Sequence, residues 1–141
     1  MRDIILKITG RQIDDMFEEE QVEFVTVGKL YRRNGALFLI YEESEVSGEP
    51  GYKTSLRLKD DTLCMKRSGP NAERDEGIEF KEGKKYSGYY DTPFGAVGLE
   101  VLTNSVKSDI KEDGKGTIDV DYHISLGGIT DNRNILNIEI S

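Results

Sequence analysis

Arg67 is the side chain with most chemistry to offer in this chain. It follows Leu63 and Met65 at period-two spacing, which puts all three on one face of a strand. A guanidinium on an apolar face has to be paired, because an unpaired buried charge is strongly destabilising. Glu42, read in phase with Phe38 and Ile40, is the carboxylate this reading offers as its inward partner. Such a pair has two uses: an anion anchor inside a ligand cavity, resembling a carboxylate clamp, or a structural ion pair that closes one end of the fold. Tyr90, which shares a face with Tyr86 and Gly88, and Tyr122, in phase with Ile118, Val120, Ile124 and Leu126, add amphipathic walls. A tyrosine suits a pocket lining and a barrel core equally. Arg67, Tyr90, Glu42 and Tyr122 are therefore the candidate ligand-binding residues.

Other reactive types stand apart from one another. His123 falls on the opposite face of its strand, with Asp119, Asp121 and Ser125. An Asp121–His123 pair alone is too small a set for zinc, which takes three or four ligands from protein. Cys64 is the only cysteine, so no intrachain disulfide forms, and no base stands near it in sequence to activate the thiol. No nucleophile elbow, phosphate loop or zincin spacing occurs. The expectation is no catalytic residue, no metal site and no cofactor, with an enzyme the least favoured class.

Charge narrows the partners. The 141 residues carry a formal net charge of −8, which argues against nucleic-acid phosphates and against anionic membrane surfaces. No apolar run approaches the ~18 residues of a membrane span, and the N-terminus enters strand pattern directly instead of a signal sequence. A cytoplasmic location is expected.

The elements that must position these residues are almost all strands. The first carries Ile4, Leu6 and Ile8 on one face. The second aligns Val22, Phe24, Thr26, Gly28 and Leu30, and Asn34-Gly35 turns it into a third over 36–43. Asn-Gly is the preferred type I′ pair, since both residues tolerate positive φ. Strands over 52–59 and 62–68 turn at Asp60-Asp61. A short strand about Ile78 and Phe80 precedes a tyrosine-rich one over 84–92, and Thr92-Pro93-Phe94-Gly95 turns into a strand from Gly95 to Val106. Strands over 116–126 and 134–140 complete the chain. Residues 13–21 are too short and acidic for an independent helix and read as a loop or a single turn. The prediction is one all-β domain over 1–141, an antiparallel barrel of about eight to ten strands, because hairpins dominate and closure removes exposed edges.

The order of several short motifs resembles a known family. Gly28-Lys29-Leu30-Tyr31 through Tyr41-Glu42-Glu43, Met65-Lys66-Arg67-Ser68-Gly69, Ile78-Glu79-Phe80, Tyr90-Asp91-Thr92-Pro93-Phe94-Gly95, Thr103, and Asp121-Tyr122-His123-Ile124-Ser125-Leu126 are similar to the YwiB-like proteins of Gram-positive bacteria. Phe94 departs from the usual Tyr, and Asp14 to Glu20 form an unusually acidic segment. The resemblance implies a calycin barrel, similar to lipocalins, with no assigned role and no catalytic residues to transfer.

Two functions then compete. One is non-enzymatic binding of a small apolar or amphipathic molecule, which requires an interior cavity open at one end. The other is a protein-interaction module whose interior is filled by Phe24, Phe38, Phe80 and Tyr122. Val25, Val27 and Leu102 on outward phases point to a second packing surface of the kind a homodimer uses.

Overall fold

Alternation of apolar and polar residues is realised as ten strands in a computed structural model that describes residues 2–13, 19–43, 51–68, 77–92, 95–128 and 130–141. They are β1 (Arg2–Ile13), β2 (Glu19–Arg33), β3 (Ala36–Glu42), β4 (Lys53–Lys59), β5 (Thr62–Ser68), β6 (Gly77–Lys81), β7 (Lys85–Thr92), β8 (Gly95–Ile110), β9 (Gly116–Leu126) and β10 (Thr130–Ile140). No helix occurs among the described residues. The ladder runs β6-β5-β4-β3-β2-β1-β10-β9-β8-β7, antiparallel throughout, so sequence neighbours lie side by side and β1 joins β10. This is a nearly closed up-and-down barrel. Its seam lies between β6 and β7, where the Gly83 N–H donates to the Thr103 carbonyl (2.9 Å) and the Thr103 N–H to that of Lys84 (3.2 Å).

Local chemistry sets the register. Asn34 (φ 52°) and Gly35 (φ 77°) both take positive φ, the geometry that matches strand twist in a two-residue hairpin. Asp60 (φ 51°) and Asp61 (φ 58°) do the same between β4 and β5, as short polar side chains can. The β8 and β10 strands extend beyond their expected limits, and a bulge at Thr103/Ser105 keeps β8 paired to β9. Residues 14–18, 69–76 and the Pro93-Phe94 tip lie outside the described residues; the Thr92–Gly95 pair that brackets the tip is formed.

Leu6, Leu39, Leu56, Leu63, Phe80, Val101, Ile118, Val120 and Ile138 are essentially fully buried on the inner face. On β3 the inward positions are Leu37, Leu39 and Tyr41, which corrects the expectation for Glu42. Every residue of β3 from Ala36 to Tyr41 is apolar or aromatic, so alternation alone does not distinguish its faces. Phe38 likewise points out, stacked on Tyr31 with centroids 4.7 Å apart. One end of the barrel is plugged by the β8–β9 hairpin tip. There Gly114 (φ 86°) seats on Leu30, whose Cδ1 a Cβ would meet at 2.8 Å, and Arg32 Nη2 donates to the Lys111 carbonyl (3.1 Å).

Candidate functional site

Paired residues in a sheet share a face, and two rungs across β3, β4 and β5, with Glu43 and Tyr52 beside them, assemble the site. Leu39, Leu56 and Met65 form an apolar rung; Tyr41, Thr54 and Arg67 form the next, toward the open end. Glu43, just past β3, is tied to the sheet by its N–H to the Tyr52 carbonyl (2.8 Å). Its parity with Tyr41 turns its carboxylate inward, where the side chain is only 6% exposed.

Arg67 grips that carboxylate in a fork. Nε donates to Oε1 (2.9 Å) and Oε2 (3.1 Å), and Nη2 to Oε2 (2.8 Å). The Thr54 hydroxyl adds a further bond to Oε1 (3.0 Å). The Tyr52 ring lies under the guanidinium, 4.3 Å from ring centroid to Cζ, a cation–π contact. Burial raises the Tyr41 phenol above its ordinary pKa, and the negative charge of Glu43 reinforces the shift; Thr54 and Arg67 oppose it. The phenol is thus held neutral beside an ion pair.

Beneath this rung lies a cavity of about 210 Å³, lined by Ile8 and Gly10 of β1, Val22 and Phe24 of β2, Tyr41, Leu56, Met65, and Leu136 and Ile138 of β10. No residue of β6–β9 lines it. On that other side Phe80 and Tyr122 meet at 4.8 Å and fill the interior. Gly10 faces the cavity with open space where its Cβ would be.

The candidate residues are distributed as follows. Arg67 stands at the rim, facing inward and paired. Tyr122 points inward but belongs to the filled side, its phenol pushed up by burial. Glu42 faces outward, 80% exposed, with Lys53 at 4.0 Å. Tyr90 of β7 pairs with Val97 of β8, and its side chain lies outside the described portion. The residues not anticipated are Glu43, Thr54, Tyr41 and Tyr52. Their signal was the hairpin register: a two-residue turn at Asn34-Gly35 pairs Leu30 with Leu39 and Gly28 with Tyr41, making odd positions of β3 inward.

The outer wall has a different chemistry. His123 Nδ1 lies 3.3 Å from Asp131, while Asp121 is held by Arg133 (2.6 and 3.1 Å) and Asn104 (3.2 Å). Asp121 therefore does not pair with His123, and its pKa is lowered, chiefly by the Arg133 bond. Burial raises the Cys64 thiol, the opposite of activation. Among the described residues no group of three or more His, Cys, Asp or Glu is placed to hold a metal ion, and no helix is long and apolar enough to cross a membrane.

Comparison with known proteins agrees with this geometry. The chain is 29% identical to the uncharacterized beta-barrel protein YwiB of Bacillus subtilis (strain 168) over 115 residues, 82% of this chain and 77% of that protein. The crystal structure of the ywiB protein from Bacillus subtilis superposes with a TM-score of 0.77 at 26% identity, covering 99% of this chain and 92% of that one. The model of the domain of unknown function DUF1934 matches residues 6–138, and the chain belongs to that family of uncharacterised β-barrel proteins.

Proposed function

We propose that this protein is a cytoplasmic, calycin-like barrel that binds a small apolar or amphipathic molecule without converting it chemically. The observation that carries this reading is the one-sided interior: an apolar cavity of about 210 Å³ under a polar rung of Tyr41, Thr54 and the Glu43–Arg67 pair. Its volume falls somewhat below the ~300 Å³ usual for drug-sized ligands, so the occupant is a compact one. Its apolar body meets Phe24, Met65 and Ile138, and a polar end reaches Tyr41 or the guanidinium edge.

Native mass spectrometry of the protein purified from its own host tests this. A small-molecule adduct is expected on the wild type, lost in Gly10→Phe and diminished in Arg67→Ala. The Gly10→Phe ring enters the cavity from a position with no neighbour around its Cβ. An adduct surviving in Gly10→Phe, or none on the wild type, overturns the reading. A second reading, a protein-interaction module, is favoured by the contiguous exposure of Ile5, Val25 and Val27 on the outer wall. Analytical ultracentrifugation at high concentration separates a homodimer on that face from a monomer.

A further inference from the structure

One long inner strand, β2, outruns its neighbour. β2 pairs with the whole of β1, from Glu19↔Ile13 to Leu30↔Arg2, but with β3 only from Gly28 onward. β3 leaves β2 after Tyr41 and follows β4 instead, through Glu42↔Lys53 and the Glu43 bond to Tyr52. Gly28 marks the parting: a Cβ there would stand 2.9 Å from the Ile40 carbonyl oxygen.

The direction of the backbone groups follows from one pair. Ile5 and Ser141 exchange both backbone hydrogen bonds (2.8 and 2.9 Å), so odd positions of β1 bond to β10 and even ones to β2. Even positions of β2 therefore bond to β1, and odd ones point away from it. Lys29, Tyr31 and Arg33 meet β3. Gln21, Glu23, Val25 and Val27 present N–H and C=O groups to an edge with no ladder partner among the described residues. Beside this edge runs a groove of about 790 Å³, between Thr26–Lys29 on one bank and Ile40–Glu43 on the other.

We propose that the β2 edge from Glu19 to Val27 accepts an extended segment of another protein as an added antiparallel strand. The segment continues the line that β3 vacates, with main-chain bonds giving affinity and alternate side chains giving selectivity. Val25 and Val27, 63% and 71% exposed, ask for β-branched residues opposite them. Glu20 and Glu23 ask for Lys or Arg. Lys7 already stands 3.4 Å from Glu23 and Arg11 is bonded to Glu19, so the attraction comes mainly from Glu20 and from the molecule's net charge of −8. A second copy of the chain fits poorly. Full antiparallel overlap of two β2 edges sets Glu23 directly against Glu23, between molecules that already repel. This inference is independent of the cavity.

Amide hydrogen exchange on the full chain tests it. The probe is a synthetic peptide as long as Glu19–Val27, β-branched opposite Val27 and Val25 and lysine opposite Glu23 and Glu20. Saturating peptide is expected to slow exchange at Gln21, Glu23, Val25 and Val27 by at least about tenfold. Val22, Phe24 and Thr26, already bonded to β1, should not change. Val25→Pro removes an edge donor without removing a β1 bond and is expected to abolish the effect. Should that variant not fold, the paired swap Glu20→Lys and Glu23→Lys reverses the preference, toward a peptide carrying glutamate in place of lysine. Unchanged exchange at the odd positions overturns the proposal. So does equal slowing at odd and even positions, which reports binding elsewhere, or odd-position protection that rises with protein concentration alone, which reports self-pairing.

Discussion

The two sides of the barrel interior solve the same packing problem differently. Along β6–β9, Phe80 and Tyr122 interlock beside Leu99, Val101, Ile118 and Val120, all four at most 4% exposed. Among β1–β5 and β10, the missing side chain at Gly10 leaves open a cavity that Met65 helps to line, and polar groups gather above it. Satisfaction of polar atoms runs the other way. The hollow side bonds its buried carboxylate four times over, whereas on the packed side Thr103 Oγ1 is buried with no partner among the described residues. Thr103 is held through its main chain, which ties β8 to the Gly83-Lys84 turn at the seam. Closure of the barrel is thus a main-chain and packing matter on one side, and side-chain polarity is concentrated where space remains.

Truncation gives the largest test of that contrast. Phe80→Ala should cost about 3–5 kcal/mol, the range for a fully buried aromatic whose cavity cannot collapse. Met65→Ala, a half-buried side chain on the wall of a space that already exists, should cost less than about 2 kcal/mol. Urea unfolding of both variants checks the pair. Equal losses would mean that the two sides are packed alike. A smaller effect of opposite sign is expected for Thr103→Val. It replaces a buried hydroxyl that has no partner among the described residues by a methyl of similar shape and should stabilise by roughly 1 kcal/mol. A destabilisation would show that the hydroxyl is bonded in solution and that the packed side is wetter than its geometry implies.

Much of this contrast was legible in the residues. The strands, the Asn34-Gly35 turn, the inward phase of Arg67 and the need to pair it all follow from alternation and charge. Alternation alone offers Glu42 as the partner because β3 is apolar on both faces. Phase had to be counted from the turn, through Leu30↔Leu39, to reach Glu43. The cavity was not legible at all. It depends on how six strands tilt around Gly10 and Met65, a property of the closed sheet that no single strand's pattern carries. Tyr122 shows the same limit: its inward phase is readable, but only the meeting with Phe80 decides that it fills the core.

Alkaline pH supplies the finest comparison between the two sides. Burial raises the pKa of Tyr41 on the hollow side and of Tyr122 on the packed side. In the unfolded chain both titrate near pH 10. A group whose folded pKa is raised keeps its proton longer when native, so its stability contribution is complete below the unfolded value and is lost as pH rises through the folded one. At pH 10 each tyrosine can contribute a loss of at most about 0.4 kcal/mol, growing as pH rises further. Thermal melts between about pH 9 and 11 should show stability falling, with Tyr41→Phe and Tyr122→Phe each flattening the curve. The two sides differ in what modulates the effect. The Tyr122 shift comes from burial alone, whereas Glu43 strengthens that of Tyr41 while Thr54 and Arg67 weaken it. Replacing Arg67 by Ala should therefore steepen the alkaline loss only where Tyr41 is present. A slope that steepens equally in Arg67→Ala and in the Arg67→Ala, Tyr41→Phe double variant would disconnect the ion pair from the cavity wall.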